Sequence, residues 1–97
     1  MDKDKQKEAK KEFKKKEQEN LVSILPMPKE LLKEFFDHLD KGLNNGGEPY
    51  SLKLTEEFCE SKELDFNKVK EWAAELGGYN DEEILWNIEQ EYEFLLD

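Results

Sequence analysis

Apolar side chains in this chain recur at helical spacing, and Pro or Gly separates several of the runs, so helices are what it can build. From Pro28 onward, Leu31, Leu32, Phe35, Phe36, Leu39 and Leu43 fall at offsets 0, 1, 4, 5, 8 and 12, one face of an amphipathic helix. Pro28 suits the first turn, where no amide hydrogen is needed. Gly42 and the run Asn44-Asn45-Gly46-Gly47 close that segment, and residues 44–51 read as a loop. Leu52, Leu54 and Phe58 open a short element, helical from about Thr55 to Lys62. Asp65 is placed to cap a further helix, with Phe66, Val69, Trp72, Ala73 and Leu76 at 0, 3, 6, 7 and 10. Gly77-Gly78 stops it. Asn80 and Glu83 have the spacing of a variant capping box, and Asp81, Glu82 and Glu83 suit the positive end of a helix dipole. This last helix is expected to run to about Leu96, with Ile84, Leu85, Ile88, Tyr92, Leu95 and Leu96 as its core stripe. The expected fold is all-α, a small domain of four to five helices with a charged, partly disordered or extended N-terminal helix.

Charge divides the chain in two. Residues 1–20 hold eight Lys and six acids, whereas residues 21–97 hold seven Lys and nineteen acids, a net of −12. The first part is expected to be a charged arm and the second an acidic helical domain. In the arm, Ala9 and Phe13 are the apolar side chains among residues 3–20. Glu8 and Glu12 with Lys11, Lys15 and Lys16 offer helical pairings, but no apolar stripe exists to dock them.

The acidic body argues against nucleic acid as a ligand, because a polyanion would be repelled. No Arg occurs anywhere, which removes the usual bidentate reader of phosphate and guanine. A membrane span is excluded, since the longest apolar stretch, residues 21–25, falls far short of roughly 18 residues. One Cys excludes a disulfide framework and agrees with a reducing cytoplasm, and no signal-peptide core precedes residue 21.

Two stretches carry a resemblance. Glu48 to Phe58 and Val69 to Leu85, the latter including Trp72 and Gly77-Gly78-Tyr79, are similar to a small bacterial family known as domain of unknown function 2695. That resemblance implies a fold but no activity. The family pattern places Cys-Asp-His-Thr before the first helix and Gly-Gly-Tyr-Cys-Asp-Cys-Glu-Val after the second. Such Cys and His positions would suit a tetrahedral zinc. In this chain the matching positions are Glu48, Tyr50, Asn80 and Glu82, with neither thiolate nor imidazole. The resemblance therefore implies a member without the zinc, in which Tyr50 and Tyr79 pack the two loops together in its place.

Other candidates weigh less. His38, beside Asp37 and Asp40, reads as a polar-face histidine, since no second His and no Ser or Cys stands at a defined spacing. Cys59 sits among Glu56, Glu57, Glu60 and Glu63, which would raise a thiol's pKa, so a buried or half-buried structural thiol is expected. Glu48, Asn80, Asp81, Glu82 and Glu83 match no EF-hand spacing, and helix capping accounts for three of them. The glycines form neither a P-loop nor a dinucleotide fingerprint. Neither catalysis nor a cofactor is expected.

Trp86 stands out. At about 100° per residue it falls on the side of the last helix opposite the core stripe. With Gln90 and Phe94, and with Glu82, Glu89 and Glu93 as acidic flanks, it would form a face suited to a basic partner. Two other occupants compete: a fold-back of the arm through Phe13 or through Leu21 and Val22, and a second copy of the chain. The expected function is a cytoplasmic, non-enzymatic acidic interaction module; a degenerate metal-binding scaffold is the alternative.

Overall fold

The computed structural model describes residues 15–96, and every regular element among them is helical. Helix α1 occupies residues 15–23. A 3-10 turn, Lys29–Leu31, then leads into α2 (Leu32–Asn44), α3 (Lys53–Ser61), α4 (Phe66–Glu75) and α5 (Asp81–Asn87), and a second 3-10 helix, Glu89–Leu95, follows. The fold is all-α. Residues 1–14 of the expected arm, with Ala9, Phe13 and the Glu8 and Glu12 pairings, lie outside the described residues.

The core forms where the predicted stripes meet. Leu32, Phe35, Phe36 and Leu39 of α2 are buried against Phe58 and Cys59 of α3, Val69, Trp72 and Ala73 of α4, and Ile84, Ile88 and Tyr92. Phe35 is its centre, with ring centroids 5.4 Å from Phe36, 5.2 Å from Phe58 and 6.4 Å from Trp72, all tilted. Such tilted pairs add a small electrostatic gain to the area they remove from water. Gly78 is where α5 packs closest to the preceding turn: a Cβ there would stand 2.7 Å from Ile84 Cγ1 and from Ile88 Cδ1.

Helix starts follow the local chemistry. The Asp65 carboxylate accepts from the amides of Asn67 and Lys68, capping α4. At α5, Asn80 accepts from the Glu83 amide at 2.8 Å, and Glu83 reaches back to the Tyr79 amide and the Asn80 side chain.

Three helices end in one motif, in which a left-handed residue lets the chain bond back onto the last turn. After α2 and α4 that residue is Gly46 (φ 87°) and Gly77 (φ 88°), with bonds from Gly47 to Gly42 and from Gly78 to Ala73. After α3 it is Glu63, at φ 56°, while Leu64 donates to the Cys59 carbonyl. A side chain in that conformation costs roughly 1–2 kcal/mol, and among the described residues the exposed Glu63 has no side-chain hydrogen bond or ion pair that offsets it. Glu63→Gly is expected to raise stability by about 0.5–1 kcal/mol after the extra unfolded-state entropy of glycine is deducted. A urea melt should show a higher midpoint at an unchanged slope; an unchanged or lower midpoint would contradict it.

The last helix departs from its expected course. It does not run to Leu96; α-helical geometry stops at Asn87, and the chain tightens into the 3-10 helix. Two forces act there. Glu89, Glu91 and Glu93 would crowd the negative end of a longer α-helix dipole. The buried Tyr92 hydroxyl also has to reach its partners, accepting from Trp72 Nε1 at 3.0 Å and donating to the Leu21 carbonyl at 2.8 Å. That second bond fastens the end of α1 to the core, where Leu21, Ile24 and Leu25 pack.

Candidate functional site

The loop before α3 and the turn before α5 meet through one carboxylate. Asp81 is fully buried. Its Oδ1 accepts from the Thr55 hydroxyl at 2.6 Å and the Thr55 amide at 3.2 Å, and its Oδ2 accepts from the Leu54 amide at 3.0 Å. The side chain of one helix thus caps the start of another, taking up amide hydrogens that have no partner within α3. Backbone bonds extend the clip: Asp81 N–H donates to the Ser51 carbonyl at 2.9 Å, and Glu82 N–H to Pro49 at 3.4 Å.

This geometry corrects the expectation for Tyr50 and Tyr79. Neither ring packs the loops together; they are 84 % and 68 % exposed. A carboxylate with three donors and a pair of backbone bonds already holds the loops, so the phenol rings are left to solvent. The residues at the zinc positions implied by the resemblance do not fit such an ion either. Glu48 and Tyr50 are exposed, Asn80 is committed to capping α5, and none offers sulfur or imidazole. Among the described residues no group of three or more His, Cys, Asp or Glu side chains is placed to hold a metal.

Asp81 as a clip was not anticipated from the residues alone. In the sequence Asp81 reads as one of three acids at a helix N-terminus, and nothing local marks it for burial. Thr55, its partner in α3, had no sequence signal beyond its position at a helix start.

The remaining candidates are spread around the bundle. His38 turns toward α3 instead of lying on an open polar face. Its ring centroid is 5.9 Å from that of Phe58, and Nε2 is 3.8 Å from Glu57 Oε2, with no hydrogen-bond partner. Cys59 is buried, and burial first, then Asp65 and Glu56, push its thiol up to about 11. The thiolate is therefore suppressed at neutral pH.

Glu89 opens the second 3-10 helix, with the α2 acids Asp37 and Asp40 near enough to act on its charge. Burial first, then the charges of Asp40, Asp37 and Glu93, hold its carboxyl above the usual value of 4.5. Asp81 is also raised above its usual 3.8 by burial, although the Thr55 and Leu54 hydrogen bonds and the nearby His38 act against the rise. Both shifts have the same sign. A raised folded-state pKa means that the folded protein binds the proton more tightly than the unfolded chain, so stability falls as pH rises through that window. Mild acidification from neutral pH toward about 5 is expected to raise the thermal midpoint before general acid unfolding sets in. Thermal melts across that range check it, and a monotonic fall on acidification would contradict it.

The residues of the expected Trp86 face part company. Trp86 is 67 % exposed on α5. Gln90, Glu93 and Phe94 instead line the seam with α1, beside Glu17, Gln18 and Leu21. Phe94 is half-buried, stacked 6.3 Å from Tyr92 and bordering Val22. The switch in helix type is the cause: Trp86 belongs to α5, which ends at Asn87, whereas Gln90 and Phe94 belong to the 3-10 helix, so the four-residue spacing no longer aligns them with Trp86. Glu82 stays on the first turn of α5 and Glu89 faces α2.

The fold and this site define a small all-α domain whose α3 and α5 are joined by a buried Asp–Thr clip. Residues 35–87, more than half of the chain, match the family described as protein of unknown function (DUF2695), and the chain belongs to that family. The match runs from the first turn of α2 to the end of α5 and so takes in the whole clip. Comparison with curated proteins finds no match, and comparison with solved structures finds none either. No helix among the described residues is long and apolar enough to cross a membrane.

Proposed function

We propose that this chain is a non-enzymatic, acidic interaction module of the bacterial cytoplasm that docks a basic protein surface through α5. The observation that carries the reading is Trp86, a large indole 67 % exposed on a helix that lacks any positive neighbour in sequence. From Glu71 to Asp97 the chain holds nine acids and no Lys, Arg or His. Aromatic anchors surrounded by charge of one sign are the usual anatomy of a docking surface, and the charge would speed encounter with a cationic partner. The buried Cys59 suits a reducing compartment. A second reading, a scaffold derived from a metal-binding ancestor, draws support from the Asp81 clip, which joins the same two loops without an ion.

The test uses the full chain and Trp86→Ala, with light scattering for mass and fluorescence anisotropy of a labelled Lys/Arg-rich peptide at low salt. A monomer that binds the peptide, with affinity reduced roughly tenfold in the variant, is the expected result. A dimer that dissociates in Trp86→Ala would assign the helix to self-association instead. Absence of peptide binding by the wild type would remove the basic-partner reading.

A further inference from the structure

Trp86 is not the sole exposed ring near the start of α5. Tyr50 and Tyr79 are exposed to a similar or greater degree, at 84 % and 68 %. All three sit on backbone that the clip fixes. Tyr50 lies between Pro49 and Ser51, whose carbonyls both accept from the first turn of α5. Tyr79 precedes the Asn80 cap, and its amide donates to Glu83. Trp86 follows Glu82 by about one turn of the same helix. The rings therefore come from a loop, a turn and a helix that are joined by hydrogen bonds, so presenting them to a ligand requires little further ordering.

We infer that Tyr50, Tyr79 and Trp86 form one recognition surface for the cationic side chains of an extended, Lys- or Arg-bearing protein segment. This inference rests on the reading above and extends its surface across the clip. Charge complementarity selects the occupant. Glu48 lies in the loop with Tyr50 and Glu82 on the first turn of α5 below Trp86, and between Lys41 and Lys62 the chain carries one cation, Lys53. Exposed rings with adjacent carboxylates favour guanidinium and ammonium groups, which rest on the ring face while the carboxylates balance their charge. An acidic or purely apolar partner would gain nothing from the carboxylates. The inference also gives the clip a purpose: with the loops held by Asp81, the tyrosines need not pack inward and are free for binding.

The decisive experiment measures binding of a fluorescently labelled Arg-Gly repeat peptide to the full chain at low salt, by anisotropy. Wild type is compared with Tyr50→Ser, Tyr79→Ser and Trp86→Ala. Because these side chains are exposed, the thermal midpoint of each variant should stay close to wild type, and melts verify this. The expected result is a weakening of roughly threefold to tenfold for each tyrosine variant. Unchanged affinity in both tyrosine variants, with a loss in Trp86→Ala, would overturn the extended surface and leave the α5 reading standing. Affinity unchanged in all three would assign binding to the net charge of the body and overturn the surface as a whole. If the wild type does not bind, both readings fall.

Discussion

Asp81→Ala is expected to destabilise the fold by about 3 kcal/mol, although the substitution removes a buried charge. The sign follows from what the carboxylate leaves behind. Three donors, the buried Thr55 amide and hydroxyl and the part-buried Leu54 amide, lose their acceptor. Each buried donor left without a partner costs roughly 1–3 kcal/mol, and only part of that returns as relief from carboxylate desolvation. For a domain of this size the loss lowers the thermal midpoint by roughly 12–24 °C. Thr55→Val should cost about 1 kcal/mol, because it removes one hydroxyl bond and leaves both amide bonds in place. The two positions belong to one network, so the double variant should be less damaging than the sum of the singles. A denaturation series on the four proteins checks this. A midpoint for Asp81→Ala within a few degrees of wild type would show that the loops are held by other contacts.

Phe35→Ala is expected to cost about 3–5 kcal/mol, the largest effect of any side-chain truncation considered for this chain. Phe35 is fully buried, and its ring touches rings from three helices, so no surface segment can move in to fill the space. The expense includes lost transfer energy and the cavity that rigid neighbours cannot close. Against a total stability of roughly 5–15 kcal/mol, that is enough to bring the chain near its unfolding threshold at 37 °C. Phe35→Leu, which keeps most of the volume, should cost less than about 1.5 kcal/mol. Urea unfolding of both variants tests the argument. An alanine variant no worse than the leucine variant would mean the core collapses readily around position 35.

Local chemistry made much of the architecture legible. The apolar stripes in α2 and α4 were correctly spaced because a helix repeats within four residues, and the same short range covers Asp65 capping its own first turn. The Asn80–Glu83 box and the glycine stops at 46 and 77 are local in the same sense. A structural role for Cys59 with a raised thiol pKa was legible from the acids around it, and the structure adds that burial is the larger cause.

What failed to appear in the sequence spans longer distances. The last stripe read as one helix because Ile84, Ile88 and Tyr92 stand four apart, and the Tyr92 partners that favour the 3-10 form beside the local acids, Trp72 and the Leu21 carbonyl, lie 20 and 71 positions away. The Trp86 face was laid out for a continuous helix, so its residues separated when the helix type changed. The two tyrosines were assigned to packing because a ring has apolar area to bury, but Asp81 already held the loops.

The sequence by itself determined an all-helical, acidic chain, because helix periodicity, caps and charge are set by residues within a turn of one another. Only the tertiary structure decided which carboxylate would be buried, which rings would face solvent and where the last helix would tighten. Asp81 meets Thr55 across 26 positions and Tyr92 meets Leu21 across 71. At such separations many acids and many rings satisfy the same local rules, and packing of the whole chain selects among them.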